Sequence, residues 1–150
     1  MPDRTEIIES ILRTADKLFR KLLPTVPREL LELDMTMPQL KILFLLFMNG
    51  PMRMGALALD LNVTLATATG LIDRLVERGM VAREGQPDDR RVVICRLSDE
   101  GHKTISRIWE TARNNSRRLL ENLDTSSLQT FEEVLKAMLE SAGGPGKETN

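Results

Sequence analysis

The chain has 150 residues, 41% hydrophobic and 29% charged, which excludes wholesale disorder and fits one compact domain with helical extensions. Its 21 Lys and Arg stand against 22 Asp and Glu, so any contact with nucleic acid must come from local charge placement rather than a basic tail. One cysteine, Cys95, excludes an internal disulfide or a thiolate-clustered zinc site, and one histidine, His102, leaves no paired-histidine metal motif. No catalytic residue, metal or cofactor is expected.

The N-terminus is polar and lacks the apolar core of a signal peptide. The longest apolar run, residues 42–48, falls far short of the roughly 20 residues that span a bilayer. The expectation is a soluble, cytoplasmic protein without a membrane partner. Eight Met and no Tyr suggest adaptable core filling.

Residues 5–23 predict an amphipathic helix. Ile8, Ile11, Leu12, Ala15, Leu18, Phe19 and Leu22 recur at spacings of three and four, with charges opposite. Pro24 and Pro27 stop it, and Leu30, Leu31 and Leu33 make a short apolar turn. Thr36 and Gln39 have capping-box spacing ahead of a helix over 37–47, with Leu40, Leu43, Phe44 and Phe47 inward. Asn49-Gly50-Pro51 breaks it.

A short helix follows over 53–61, with Leu57, Ala58 and Leu61 on one face. Asn62-Val63 turns the chain, and Thr64 caps a helix to about Arg78, with Leu71, Ile72 and Leu75 inward. Gly79 stands where a left-handed residue closes a helix. Two helices joined by such a turn are a helix-turn-helix. The period then changes: 80–84 and 91–97 predict two strands around a polar loop, 85–90, a hairpin with a long exposed tip. Ser98, Asp99 and Glu100 open a helix of about 24 residues, some 36 Å long. A last helix starts at Asp124 or Thr125, with Leu128, Phe131, Val134, Leu135, Met138 and Leu139 as its apolar face. The Gly-rich tail 142–150 is expected to fray.

A helix-turn-helix followed by a hairpin is a winged helix, which can read DNA at two points. The helix from Thr64, about 21 Å long, suits the major groove. The hairpin tip suits an adjacent minor groove, whose concentrated negative potential attracts Arg. Arg91 is the expected inserted side chain, Asp89 the carboxylate that orients its guanidinium, and Arg90 a phosphate contact. A charged, merely solvated hairpin is the plainer alternative.

The motifs together carry a resemblance. Thr36-Met37-Pro38-Gln39-Leu40 opens one helix and Asp60-Leu61-Asn62-Val63-Thr64 forms the turn. Ile72-Asp73-Arg74-Leu75-Val76-Glu77-Arg78-Gly79-Met80-Val81, Pro87-Asp88-Asp89-Arg90-Arg91 and Leu97-Ser98-Asp99-Glu100-Gly101 follow. At these separations the segment 33–109 resembles the MarR family of multiple-antibiotic-resistance regulators. The resemblance implies a mainly α fold: a winged helix-turn-helix with a two-stranded β-wing and N- and C-terminal dimerisation helices. Residues 1–34 and 104–141 would form the dimerisation region and 35–103 the DNA-binding domain. It implies a homodimeric, sequence-specific transcriptional regulator, usually a repressor, on double-stranded DNA. A two-fold dimer sets its reading helices about 34 Å apart on a pseudo-palindrome.

Two features depart from the family pattern. The leading half of the recognition helix is uncharged, and Gly70 stands where relatives often carry a polar reader. Thr64, Thr67 and Thr69 are the candidate base contacts, with Gly70 allowing close backbone approach or packing. Residues 51–103 hold as many acids as bases, so the basic face must be local. Arg53, Arg74, Arg78, Arg90 and Arg91 are its candidates, although Arg74 could pair with Asp73 or Glu77. In relatives a small aromatic or phenolic effector binds between the dimerisation layer and the winged helix. Phe19, Leu22, Met37, Leu40, Phe44, Trp109 and Arg113 are the positions that layout implies, with plain core and surface as the alternative. Cys95 reads as a packing residue. A protein-interaction winged helix without DNA reading is the rival function.

Overall fold

A computed structural model describes residues 1–22, 28–86 and 89–142, the side chains of Glu29, Gln86 and Arg90 excepted. The expected stops Pro24 and Pro27, the tip residues Pro87 and Asp88, and the tail from 143 lie outside the described residues. The elements are α1 Arg4–Leu22, α2 Arg28–Glu32, α3 Met37–Asn49, β1 Met52–Arg53, α4 Met54–Leu61, α5 Leu65–Glu77, β2 Val81–Gln86, β3 Asp89–Leu97, α6 Asp99–Leu120 and α7 Thr125–Ala142. They form two units, Met1–Ala112 and Arg113–Asn150. Among the described residues no single helix is long and apolar enough to cross a membrane.

In the first unit, α3 starts where Thr36 is extended and Gln39 turns back on it. The Gln39 Oε1 accepts from the Thr36 amide at 2.9 Å and its hydroxyl at 3.2 Å, satisfying donors that a helix start leaves unpaired. Gly50, at φ 75°, ends the helix. Ile42, Leu43 and Leu46 face the core, whereas Leu40, Phe44 and Phe47, expected inward, are only half-buried. The reason is that α4, α5 and the sheet pack on the stripe through Ile42 and Leu46. The flank through Phe44 and Phe47 meets Trp109 instead, at centroid distances of 6.5 Å and 6.3 Å.

Leu57, Ile72, Leu75, Ile105 and Cys95 are fully buried with Ile42 and Leu43. Burying each such Leu or Ile side chain stabilises the fold by about 1.5–3 kcal/mol. The chain turns through 107° between α4 and α5, the crossing of a helix-turn-helix. Asn62 permits that turn by adopting the left-handed conformation, φ 55° and ψ 47°.

The sheet has three antiparallel strands in the order β1-β3-β2. Met52 pairs with Cys95 and Arg53 with Ile94, so a third strand joins the two expected. The tip also differs from the expected long loop. The ladder of β2 and β3 continues from Val81↔Leu97 to Gln86↔Asp89, because strand pairing extends through polar residues that show no apolar alternation. Residues 30–33, expected as an apolar turn, belong in part to the one-and-a-half-turn helix α2.

The hairpin is latched to α6 at its base. The Ser98 amide donates to the Met80 carbonyl at 3.0 Å, and the Ser98 hydroxyl donates to the Gly79 carbonyl. The same Ser98 Oγ accepts from the Gly101 amide at 3.0 Å, capping α6. Gly79, at φ 69°, makes the preceding turn. One serine therefore both starts a helix and closes the wing.

Both termini leave apolar faces uncovered. In the first unit α1 buries no residue, and Ile8, Ile11, Leu12, Leu18 and Phe19 are exposed. In the second unit Asp124 caps α7, accepting from the Ser127 amide at 2.9 Å and its hydroxyl at 3.0 Å. The α7 stripe of Phe131, Val134, Leu135, Met138 and Leu139 is likewise exposed.

Candidate nucleic-acid interface

The leading turn of α5 is built by Thr64, whose Oγ1 accepts from the Thr67 amide at 3.1 Å and lies 2.9 Å from the Thr67 hydroxyl. Thr69 donates its hydroxyl to the Leu65 carbonyl at 2.8 Å. Thr64 and Thr67 are exposed, and Thr69 is half-buried. Ala68, Ile72 and Leu75 hold the inner side, leaving Leu65, Ala66, Thr67, Gly70, Asp73, Arg74 and Glu77 outward. Gly70 is exposed, and a Cβ there would meet nothing within 4 Å. Internal packing therefore does not account for this glycine, although a mid-helix Gly costs about 1 kcal/mol relative to Ala.

The cations are placed differently from one another. Arg53 is exposed at the β1–α4 junction, and Arg74 is exposed on α5; neither side chain has a bonded partner among the described residues. The alternative pairing of Arg74 with Asp73 is not what forms, because Asp73 engages Arg83 at 2.6 Å. Arg78 closes α5 and meets the fully exposed Asp34 at 3.2 Å. Such an exposed pair contributes little and exchanges easily.

On the wing, Asp89 accepts the Arg91 backbone amide at 2.9 Å. This corrects the expected carboxylate–guanidinium bond: an Asp side chain reaches its own backbone two residues on more readily than a long, solvated side chain. The guanidinium of Arg91 is exposed and meets no partner among the described residues. Its placement comes from the ladder. Between the pairs Gly85↔Val93 and Gln86↔Asp89, β2 advances one residue while β3 passes through Arg90, Arg91 and Val92. Arg91 is the middle of that bulge, and bulges re-aim side chains. The side chain of Arg90 lies outside the described residues.

Sequence reasoning missed Arg83. It faces Cys95 across the ladder, on the sheet face that also carries the buried Val81. From there its Nη2 reaches the Thr69 carbonyl at 3.0 Å as well as Asp73. Period two from Val81 already put a cation on the inner face, and that was the available signal.

The expected effector positions are only partly brought together. Met37, Leu40 and Phe44 line one apolar groove of about 510 Å³ with Pro38, Lys41, Leu61 and Val63. Lys41 donates from this rim to the Asp60 carbonyl at 2.7 Å. Trp109 touches Phe44 but does not line the groove, and neither do Phe19 and Leu22 of α1. Arg113 is exposed at the start of the second unit. Among the described residues no group of His, Cys, Asp and Glu is arranged to hold a metal ion.

Comparison with known proteins bears on the fold and the family. The MarR family pattern matches residues 35–93, from just before α3 into β3. An uncharacterized HTH-type transcriptional regulator of Bacillus subtilis, YfiV, is 32% identical over 93% of this chain and 94% of its own length. The HTH-type transcriptional repressor MdtR of the same organism is 26% identical over 91% of this chain and 84% of its own. Among solved structures, RV1404 from Mycobacterium tuberculosis superposes with a TM-score of 0.79 at 25% identity, covering 97% of this chain and 98% of that one. A helix-turn-helix, its wing and a full-length relative all converge on one assignment: this chain belongs to the MarR family of transcriptional regulators.

Proposed function

We propose that the protein is a ligand-responsive repressor that binds double-stranded DNA as a cytoplasmic homodimer on a pseudo-palindromic operator. The observation that carries this reading is the pairing of Arg91, at the bulged tip and without a partner among the described residues, with the open, uncharged leading half of α5. The leading half of α5 enters the major groove, with Thr64, Thr67 and Thr69 toward base edges and Gly70 admitting close backbone approach. Arg91 enters the flanking minor groove. Arg53, Arg74, Arg78 and Arg90 meet phosphates, Arg78 by exchanging Asp34 for a backbone oxygen. Major-groove readout by threonines is modest, so the wing carries much of the binding.

Residues 1–34 and 104–141 form the dimerisation region, since α1 and α7 each leave an apolar stripe that a monomer exposes to water. The groove at Met37, Leu40 and Phe44 takes the apolar body of a small aromatic or phenolic effector. Enrichment of bound genomic fragments, followed by fluorescence titration at fixed salt, tests the reading. The expected result is a set of inverted half-sites one helical turn apart. Arg91→Ala should weaken binding by about 1–3 kcal/mol without dimer loss. Absence of any salt-dependent complex would instead favour a protein-interaction winged helix.

A further inference from the structure

Arg83 is a half-buried cation on the sheet face that carries Val81 and Cys95, and its surroundings are unusual. Its guanidinium spans a full turn of α5, holding the Thr69 carbonyl at 3.0 Å and the Asp73 carboxylate at 2.6 Å. Its Nε is buried without a hydrogen-bond partner. Leaving that donor unpaired costs free energy, and an ion pair taken partly out of water returns little net stability. A methionine of similar length would fill the same space against Cys95 without that cost. The arrangement therefore makes poor sense as a means of stabilising the core and good sense as a means of fixing geometry.

We propose that Arg83 is a positioning residue for DNA reading: it sets the angle between the recognition helix and the wing, and so places Arg91. The proposal rests on the minor-groove role given to Arg91 above. Two acceptors four residues apart on α5 fix both the rotation of that helix and its distance from β2, which one contact could not do. From Arg83 the strand runs three more residues to Gln86, the last ladder position before the tip, a lever of about 10 Å. A swing of about 10° at its base moves the tip by nearly 2 Å, about a third of the roughly 6 Å width of a minor groove. The anchor therefore acts where small angular play has the largest effect on the reading cation.

A double-mutant cycle tests this on the full chain, with a duplex recovered by the genomic enrichment and titrations run at low salt. Arg83→Met is expected to weaken binding about tenfold when Arg91 is present and less than about twofold in the Arg91→Ala background. Asp73→Asn, a change at a half-exposed carboxylate that leaves the core untouched, is expected to show the same dependence on Arg91. Thermal unfolding and sedimentation accompany each variant, so that loss of fold is separated from loss of placement. Equal losses in both backgrounds, from both Arg83→Met and Asp73→Asn, would overturn the proposal and mark Arg83 as a phosphate contact or a simple stabiliser. An Arg91→Ala variant that binds as well as the parent would overturn the minor-groove reading itself, and the positioning role with it.

Discussion

Gly101 and Gly70 are both helical glycines whose surroundings put them to opposite uses. A Cβ at Gly101 would collide with the backbone carbonyl of Met80, where the latch of Ser98 holds the hairpin base against α6. Backbone cannot step aside as a side-chain tip can. Gly101→Ala is therefore expected to destabilise the fold by about 3 kcal/mol or more, at the upper end for overpacking, read from the shift in denaturant midpoint. Gly70 has open space where its Cβ would stand. Gly70→Ala should raise stability by up to about 1 kcal/mol while weakening operator binding, since the added methyl enters the surface offered to DNA. Both changes moving together, in either direction, would refute that assignment. At Cys95, burial pushes the thiol above its ordinary value, and the Arg83 guanidinium opposite pulls it back only in part. With its side chain fully enclosed, Cys95 should react with a thiol reagent only as fast as the wing opens, consistent with packing rather than redox sensing.

At the scale of elements, α7 shows how one cap governs a helix. The Ser127 amide, and after it the Ser127 hydroxyl, hold the Asp124 carboxyl below the usual carboxylate range. A depressed pKa in the folded state means stability that is fully present above the unfolded value and lost as pH falls through the folded one. Helicity measured by circular dichroism should therefore decline at pH below about 3.8, and Asp124→Asn should remove this cap's share of that decline while keeping the cap. Caps of this kind are why so many elements could be read from sequence: Thr36, Thr64, Ser98 and Asp124 each stand at a helix start, and Gly50 and Gly79 at turns. What escaped has an equally physical cause. The strand β1 is two residues long and shows no period. The wing tip is polar, so its pairing leaves no apolar alternation to follow. In α3 the residues at Leu40, Phe44 and Phe47 are as apolar as the buried stripe, and only the packing of α4 and α5 decides between them. Of the cations named from sequence, Arg53, Arg74 and Arg91 are exposed without a bonded partner among the described residues, and Arg78 is paired with Asp34. The clamp of Arg83 on Asp73 was not legible, because it joins two elements whose approach no local pattern encodes.

For the whole molecule, the exposed apolar stripes are the decisive feature. A stripe of Phe131, Val134, Leu135, Met138 and Leu139 on α7 cannot be offset by local helix propensity alone, because in proteins most helical stability comes from tertiary packing of the amphipathic face. The same holds for α1, which buries none of its residues. On the proposed reading a second copy of the chain covers such faces, and stability then depends on protomer concentration through mass action. Leu135 is about half-exposed in the single chain, so Leu135→Glu should leave the winged helix folded while placing a charge in the dimer contact. Sedimentation should show a monomer at concentrations where the parent is dimeric, and the melting temperature of the parent, but not the variant, should rise with concentration. Operator affinity should fall steeply, because two heads that read half-sites one turn apart lose the gain of acting as one ligand. A variant that stays dimeric and binds with parental affinity would show that the two copies meet elsewhere.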